Sequence, residues 1–377
     1  MHLSEEHLIL RDTVRRYTEE QIAPLAEKMD RESALPEGIF PKLGELGLLG
    51  ATIPEEYGGA GGDPLAQVLI AEELAKGSAA IAISYLGHSN LCAHNLWRHG
   101  SEDQRRKYLP SLCSGGKIGG LALTEPGAGS DAVGIQSTAV RNGDSYVLNG
   151  TKMFISNAPI ADLLIVYAKT DKSKGAHGIT AFLVERDFKG FSVSRKLEKM
   201  GIRASPTGEV VFDDCIVPSG NVLGEVDRGI AVMMSGLDIE RVAVAGVSLG
   251  IAEAAFAESL KYSKDRKQFG RPICEFELIQ AKLADMYTGI ETARAFLYGV
   301  AARSGKEERL RKESAAAVLY AAEMATKVCL EAIQIHGGYG YMTEFPVSRY
   351  LRDAKLMEIG AGTSEIRRIL IAKELIG

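Results

Sequence analysis

The chain has 377 residues, of which 46% are hydrophobic and 25% are charged, and its formal net charge is −5. A chain of this length is expected to form two or three domains, and its composition is typical of a globular protein. The acidic balance, without a basic stripe, argues against nucleic acid as the main partner. No apolar run approaches the ~20 residues of a membrane span, so we expect no membrane insertion.

The five cysteines are scattered along the chain, with no CxxC pair and no Cys/His cluster. This spacing favours a reducing compartment and argues against disulfides and against a metal site. The start, MHLSEEHLIL, lacks the basic and then apolar segments of a signal peptide. We therefore expect the cytoplasm for a bacterial chain, or the mitochondrial matrix for a processed eukaryotic one.

Residues 1–117 are predicted to form an N-terminal all-α domain. Apolar residues recur there at helical spacing, and Ser4 precedes the first such stretch in the position of an N-cap. The predicted helices cover residues 3–29, 64–76, 79–99 and 102–113.

Residues 118–228 are predicted to form a central β domain. Short alternating runs are separated by turn residues, and the Asn142-Gly143 and Asn149-Gly150 pairs are strong hairpin signals. We expect an antiparallel sheet that forms a barrel or sandwich. The predicted strands cover residues 145–148, 152–156, 163–168, 180–185 and 209–217.

Residues 229–377 return to helical periodicity and are predicted to form a four-helix bundle. The predicted helices cover residues 232–265, 275–303, 312–336 and a last segment after Thr363. The fold class is therefore α+β, in the order α, β, α.

The stretch 234–251, MSGLDIERVAVAGVSLGI, is apolar almost all round, which indicates a buried helix. Helical spacing nevertheless directs Glu240 toward the core. A buried carboxylate is costly unless it is paired or serves a ligand. Glu240 is either a helix charge that pairs with Arg241, or a catalytic base in an apolar pocket.

The segment from Gly127 to Ala132 fits a GxGxxA pattern, but Pro126 precedes it and a strand pattern follows. A dinucleotide fingerprint needs a strand before it and a helix after it, so we reject that interpretation. What remains is a glycine turn, or a loop whose N–H groups hold a polar cofactor with Thr124 and Ser130.

Other segments also have two interpretations. Phe154 is either a core residue or a ring stacked on a cofactor. Arg266 is either a helix-end charge or a pyrophosphate ligand. The glycines of residues 334–340 are either a helix cap or backbone close to a ligand, and the helix start at 360–365 also favours anions.

Five segments in this order resemble the acyl-CoA dehydrogenase family: GGLALTEPGAGSDA, KMFISN, YSKDRKQFG, QIHGGYGY and GAGTSEIRR. The resemblance covers essentially the whole chain. It implies the α, β, α fold of that family, FAD as cofactor, and oxidation of an acyl-CoA thioester to its 2-enoyl form. It also implies a homotetramer and an electron-transfer flavoprotein as electron acceptor.

The resemblance also implies which residues bind FAD. Those lining the flavin and diphosphate would be Leu121, Leu123, Thr124, Gly129 and Ser130. Phe154, which is Trp in many relatives, and Ser156 would pack on the flavin ring. The residues reaching the FAD of a neighbouring subunit would be Arg266, Gln268, Gln334, Gly337 and Gly338. Thr363 and Glu365 would contact FAD at the last helix.

Most members of the family carry the catalytic base as Glu directly before the Gly-Thr of the final motif, where this chain has Ala361. The isovaleryl-CoA branch places its base on the buried helix, in a segment that resembles Gly-Leu-Asp-Ile-Glu-Arg. The resemblance therefore implies Glu240 as the base. The implied substrate-binding residues are Ser130, Asp238, Arg241, Gly360 and Ala361.

Small residues at 360 and 361 leave room for a branched acyl chain, and the resemblance favours an isovaleryl-CoA-like substrate. A straight short-chain, 2-methyl-branched or alicyclic acyl-CoA stays open. So do a flavin oxidase or monooxygenase on the same fold and a non-catalytic scaffold.

Overall fold

The computed structural model describes residues 3–304 and 310–377, and the side chain of Asp238 lies outside the described set. Helices are followed by short strands and then by long helices, as the periodicity predicts. The N-terminal helices are α1 (Glu5–Tyr17), α2 (Ala26–Glu32), α3 (Ile39–Glu45), α4 (Pro64–Gly77), α5 (Ala79–His88), α6 (Asn95–His99) and α7 (Glu102–Cys113). The domain boundaries at 117/118 and 228/229 stay predictions.

The predicted helices over 3–29 and 79–99 are both interrupted. After α1 the backbone widens into a π turn at Thr18–Ile22 and tightens at Ala23–Leu25, where Pro24 cannot donate to a helical ladder. A second π segment, Ser89–His94, separates α5 from α6. Periodicity predicted the helical state there but not the change of winding. Ser4 caps α1 as predicted, since its Oγ accepts from the His7 N–H at 3.3 Å.

The sheet has the strand order β6-β7-β3-β2-β4-β5-β8, with β1 paired to β4. Most neighbours are antiparallel, but β1 runs parallel to β4, and β2 meets β4 in one parallel bridge. The sheet is therefore mixed rather than purely antiparallel, because β1 enters from the helices beside β4 without a hairpin. The strands are β1 (Gly119–Ala122), β2 (Thr138–Asn142), β3 (Ser145–Ser156), β4 (Leu163–Lys169), β5 (Ile179–Glu185), β6 (Phe191–Lys196), β7 (Thr207–Pro218) and β8 (Val222–Leu223).

The predicted turn at Asn149-Gly150 is wrong, since β3 runs straight through it. Gly150 has a positive φ of 147°, and the pairing with β7 shifts register between Leu148 and Gly150. A Cβ on Gly150 would lie 2.2 Å from the Oγ of Ser137. The glycine is thus required by a close approach at a strand irregularity rather than by a hairpin.

Strand β4 is buried on both faces. Leu163, Ile165 and Tyr167 pack in a core shared with the N-terminal helices, whereas Leu164 and Val166 pack in the core inside the β domain. A strand covered on both sides reads as a continuous apolar run, which explains its sequence LLIVYAK. The same strand therefore carries Tyr167 toward the helices that form the candidate site.

The C-terminal helices are α8 (Gly229–Asp265), α9 (Glu277–Arg303), α10 (Arg311–His336), α11 (Val347–Met357) and α12 (Ser364–Ile376). The hairpin of β9 (Lys267–Gln268) and β10 (Arg271–Pro272) separates α8 from α9. The long helix α8 packs so closely on α4 that a Cβ on Gly250 would lie 2.2 Å from the Glu72 carbonyl oxygen. Helix α11 was not predicted. In the described part of the chain, no helix is long and apolar enough to cross a membrane.

A network of charged side chains lies between α1, α4, α8 and α9. Glu72 is 2% exposed; its carboxylate accepts from the Tyr298 hydroxyl at 2.8 Å and lies 3.5 Å from the Arg294 guanidinium. Lys76 pairs with Glu73 at 2.8 Å and also contacts Glu253. These bonds join the N-terminal helices to the bundle, since they satisfy groups that would be costly to bury alone.

His88 joins the helical part to the sheet. Its Nε2 lies 3.0 Å from the Leu112 carbonyl oxygen, and its Nδ1 accepts from the Gly119 N–H at 2.9 Å. This pattern requires the neutral ring with the proton on Nε2. Burial lowers the pKa of His88 to about 4.

Candidate active site

Glu240 lies in the first half of α8 and is only 9% exposed. Burial raises the pKa of its carboxyl to about 7, and the positive charges of Arg241 and Arg367 oppose that rise. A carboxylate that has lost water is a stronger base than an exposed one. The helical position predicted from sequence thus places a basic carboxylate inside the protein.

Arg367 connects Glu240 to the turn that follows α11. Its guanidinium is 1% exposed and donates to the carbonyl oxygens of Met357, at 2.8 Å, and Gly360, at 2.7 Å. Arg241 is 7% exposed and lies close enough to repel Arg367. Arg367 therefore links three of the predicted residues: the charges of Glu240 and Arg241 act on it, and it binds the carbonyl of Gly360, which Ala361 follows in the turn. The side chain of Asp238, also predicted to bind substrate, lies outside the described residues.

The turn itself is conformationally unusual. Ala361 has a φ of 54° and Gly362 a φ of 93°, so both adopt left-handed conformations. An alanine is seldom found there, and such outliers gather at functional sites. The N–H groups of Ile359 and Gly360 donate to the Leu356 carbonyl in α11, and that of Ser364 donates to the Glu358 carbonyl. Thr363 caps α12, accepting from the Ile366 N–H at 3.3 Å, and Glu365 is exposed in its first turn.

Tyr167 projects from β4 toward the same region. Its hydroxyl is buried and has no hydrogen-bond partner among the described residues. Burial, and then the negative charge of Glu240, raise the pKa of this phenol. A buried polar atom without a protein partner fits a site that receives a polar group of a ligand. The Nε of Arg367 is orphaned in the same way.

The segment after β1 forms a loop fixed from inside by an ion pair. The Lys152 ammonium is fully buried and donates to the Glu125 carboxylate at 2.8 Å and to the Leu123 carbonyl at 3.0 Å. Burial lowers the pKa of Lys152 to about 8, and the negative charge of Glu125 opposes that shift. This pair positions Leu123, which is buried, and Thr124, which like Leu121 on β1 is half-buried. Sequence analysis missed it, because neither residue has a recognisable spacing.

Beyond this loop the chain makes a turn and continues into β2. The helix that a dinucleotide fingerprint would need is not there in this described stretch, which agrees with the rejection of that interpretation. Gly129 and Ser130 are exposed. A side chain on Gly127 or Gly129 would meet no atom within 4 Å. These glycines therefore leave an open backbone surface, which fits a loop that holds the phosphates of a cofactor.

Phe154 lies beside this loop, since the Met153 N–H donates to the Thr124 carbonyl at 2.8 Å. Its ring is 67% exposed and its φ is 62°, at an irregularity of β3 between Lys152 and Ile155. The core interpretation of Phe154 is therefore wrong. An exposed ring held in a strained backbone next to an open loop fits a flat cofactor stacked on it. Ser156 is half-buried at the end of the same strand.

The residues predicted to reach a neighbouring subunit lie on the surface. Arg266 is the C-cap of α8, and its guanidinium lies 5.6 Å from the centre of the Tyr339 ring. Phe269, in the adjacent hairpin, is 93% exposed. Exposed aromatic and cationic side chains of this kind are typical of interaction surfaces. The exposed residues of the set are Arg266, Gln268, Gln334, Gly337 and Gly338.

Sequence analysis also missed Arg367 and Tyr167. Arg367 lies inside the quoted segment GAGTSEIRR, but nothing in the spacing separates it from the exposed Arg368. Within the described residues, no group of three or more His, Cys, Asp or Glu side chains could hold a metal ion.

Three family models match successive parts of the chain. The N-terminal domain of acyl-CoA dehydrogenase matches residues 4–116, the middle domain residues 120–215 and the C-terminal domain residues 227–376. Together they span nearly the whole chain.

Individual proteins match over the same span. The chain is 49% identical to the mitochondrial isovaleryl-CoA dehydrogenase of Solanum tuberosum, over 97% of this chain and 89% of that protein. It is 48% identical to the 2-methylacyl-CoA dehydrogenase of the same plant, over the same shares. The structure of butyryl-CoA dehydrogenase from Megasphaera elsdenii matches all of both chains, with a TM-score of 0.98 and 42% identity.

Proposed function

The chain belongs to the acyl-CoA dehydrogenase family, and from that premise we propose that it is an FAD-dependent dehydrogenase of a short branched-chain acyl-CoA, similar to isovaleryl-CoA. The family is one of flavoprotein oxidoreductases. One observation carries the proposal: Glu240 is a buried carboxylate under the charge of Arg367, and the Arg367 guanidinium binds the turn that holds Ala361.

In this proposal Glu240 removes the proton from the carbon next to the thioester. That hydrogen is a weak acid, so the base must be strong, and burial supplies the required rise in the carboxyl pKa to about 7. Bound FAD would supply the hydride-accepting chemistry at the β-carbon, so that loss of the α-proton to Glu240 and of the β-hydrogen with its electron pair would leave the 2-enoyl thioester.

The negative charge that develops on the thioester oxygen needs a donor placed in advance. In the turn after α11, the N–H groups of Ile359, Gly360 and Ser364 already donate to the carbonyl oxygens of Leu356 and Glu358. We assign the N–H of Ala361 to the oxygen, a role that requires no side chain. Ala361 thereby replaces the glutamate of other family members without loss of this donor.

The chain offers a coherent place for FAD. Leu121, Leu123 and Thr124, with the open turn at Gly129 and Ser130, would hold the flavin and diphosphate, and Phe154 and Ser156 would lie against the ring. Thr363 and Glu365 would contact FAD from α12. The exposed set around Arg266 would reach the FAD of another subunit, which supports a homotetramer.

The substrate assignment rests on shape and on the relatives. Gly360 and Ala361 are small residues that would leave space for a branch, and a 2-methyl branch is the nearest alternative. Ser130 and Arg241, with Asp238, would contact the acyl-CoA. The proposed electron acceptor is an electron-transfer flavoprotein, and the proposed compartment is the cytoplasm of a bacterium or the mitochondrial matrix.

The test is anaerobic bleaching of the purified flavoprotein by isovaleryl-CoA, 2-methylbutyryl-CoA, butyryl-CoA and an alicyclic acyl-CoA. We expect isovaleryl-CoA to bleach the flavin fastest. Faster bleaching by another thioester would keep the reaction and replace the substrate. Hydrogen peroxide formed at the turnover rate under air would indicate an oxidase, and no bleaching by any thioester would contradict the proposal.

A further inference from the structure

Arg367 occupies a position that is costly for a guanidinium. It is 1% exposed, and burial, followed by repulsion from Arg241, lowers its pKa to about 10. A buried cation persists only where its charge or its hydrogen bonds are needed. Arg367 belongs to α12, yet the two hydrogen bonds of its guanidinium go to the end of α11 and to the turn that follows it.

Those two bonds span the turn that contains Ala361. The Met357 carbonyl ends α11, and the Gly360 carbonyl immediately precedes the left-handed pair Ala361 and Gly362. The left-handed region is unfavourable for an alanine. A guanidinium fork joined to both carbonyl groups can hold that conformation, because its donors are planar and rigidly spaced.

The guanidinium of Arg367 binds the turn, and its positive charge also acts on Glu240, where it favours the ionised carboxylate. Charged groups face the pair from several elements: Arg241 on α8, Glu323 on α10 and Glu358 after α11, with the phenol of Tyr167 on β4. Glu323 is paired with Arg368 at 2.6 Å, and Glu358 with Lys355 at 2.8 Å. Among the described residues that act on Arg367, Glu240 is thus the acidic group that is buried.

We propose that Arg367 is a positioning residue that does two things at once: it clamps the turn presenting the Ala361 N–H, and it keeps Glu240 in its charged form. This inference rests on the proposed role of Glu240 as base. In this proposal one side chain, Arg367, influences both the base Glu240 and the Ala361 N–H that would bind the thioester oxygen.

The experiment measures the rate of anaerobic flavin bleaching by saturating isovaleryl-CoA from pH 5.5 to 9. Arg367→Gln removes the charge, so we expect the midpoint of the profile to move up by about one pH unit or more. We expect the rate at pH 7 to fall at least tenfold. Arg368→Gln is the matched control: the same charge is lost from an exposed neighbour, and the profile should stay within 0.3 unit of wild type, by the screening expected at the surface, where the Debye length is about 8–10 Å.

Arg367→Lys separates the two roles and protects the test if the glutamine variant fails to fold. Lysine keeps the charge but cannot form the rigid fork, so the midpoint should return to the wild-type value while the maximal rate stays several-fold low. A wild-type maximal rate in this variant would overturn the clamp. An unshifted midpoint in Arg367→Gln with intact flavin absorbance would overturn the electrostatic role.

Glu240→Gln, measured in parallel, tells the two proposals apart. If it abolishes bleaching at every pH while Arg367→Gln shows no shift, the base stands and the inference about Arg367 fails. Should Glu240→Gln bleach like the wild type, the assignment of the base fails and the inference fails with it.

Discussion

Two buried glutamates of this chain lie in opposite kinds of surroundings. Glu72 on α4 and Glu240 on α8 are both enclosed, and burial raises the carboxyl pKa of each. Glu72, however, accepts a hydrogen bond from Tyr298 and has Arg294 and Lys76 within 4.0 Å. Arg241 and Arg367 act on Glu240 through charge.

The comparison shows that burial alone does not identify a catalytic base. A carboxylate whose oxygens are occupied by fixed donors is a structural group, because its bonds must break before it can act. A buried carboxylate that lies beside a strained turn and orphaned polar atoms is arranged for a ligand. In this chain the structural network joins helices, while the candidate site lies where helices, sheet and turn meet.

The largest expected effect on stability comes from breaking the network. Glu72→Ala removes the acceptor of the Tyr298 hydroxyl and one of the carboxylates around Arg294, and it leaves a cavity, so the free energy of unfolding should fall by about 3–5 kcal/mol. Chemical denaturation monitored by far-UV circular dichroism measures it. Tyr298→Phe, which removes one hydroxyl, is the matched control and should cost about 1 kcal/mol. A loss below 1 kcal/mol in Glu72→Ala would show that Glu72 has no structural role.

At the candidate site, replacing the buried glutamate is expected to raise the free energy of unfolding rather than lower it. The pKa of Glu240 rises from 4.5 to about 7 on folding. The free-energy cost of burying its ionised carboxylate is therefore absent below pH 4.5 and complete above pH 7. Glu240→Gln should therefore stabilise the protein at pH 8, by up to about 3 kcal/mol, and by nearly nothing at pH 4.5. Denaturation at both pH values tests this. Destabilisation at pH 8 would remove the contrast with Glu72.

A pH effect of similar size comes from His88. The folded pKa of His88, about 4, lies below that of an unfolded histidine. The contribution of its neutral ring to the free energy of unfolding is therefore complete above pH 6.5 and is lost as the pH falls toward 4. The loss should reach about 2–3 kcal/mol. His88→Gln, which retains a donor and an acceptor, should flatten this part of the curve, and an unchanged slope would contradict the assignment.

The smallest effect on stability is expected at Phe154. Its ring is 67% exposed, so Phe154→Ala should change the free energy of unfolding of the apoprotein by less than about 0.5 kcal/mol. The same variant should weaken FAD binding and shift the flavin absorbance, whereas Phe154→Trp should preserve both. Fluorescence titration of apoprotein with FAD measures the affinity. Equal affinity in all three proteins would show that the ring does not stack.

Much of the fold was predictable from sequence because long helices repeat their apolar spacing many times. Helix α7 was predicted residue for residue, and α10 to within one residue. The parallel pairing of β1 and the strand through Asn149-Gly150 were not predictable, since they depend on contacts distant in sequence. At the site, helical phase placed Glu240 inside. Arg367 and the Lys152–Glu125 pair were missed, because a buried charge and an exposed one have the same sequence signature.

The most direct test of the account is rapid-mixing measurement of flavin bleaching by isovaleryl-CoA under anaerobic conditions, in wild type, Glu240→Gln and Glu72→Gln. The account predicts that Glu240→Gln binds FAD but loses bleaching by at least about a thousandfold, a barrier increase of about 4 kcal/mol. Glu72→Gln should bleach at the wild-type rate per folded molecule. Rapid bleaching by Glu240→Gln would contradict the account, because the base would then lie elsewhere in the site.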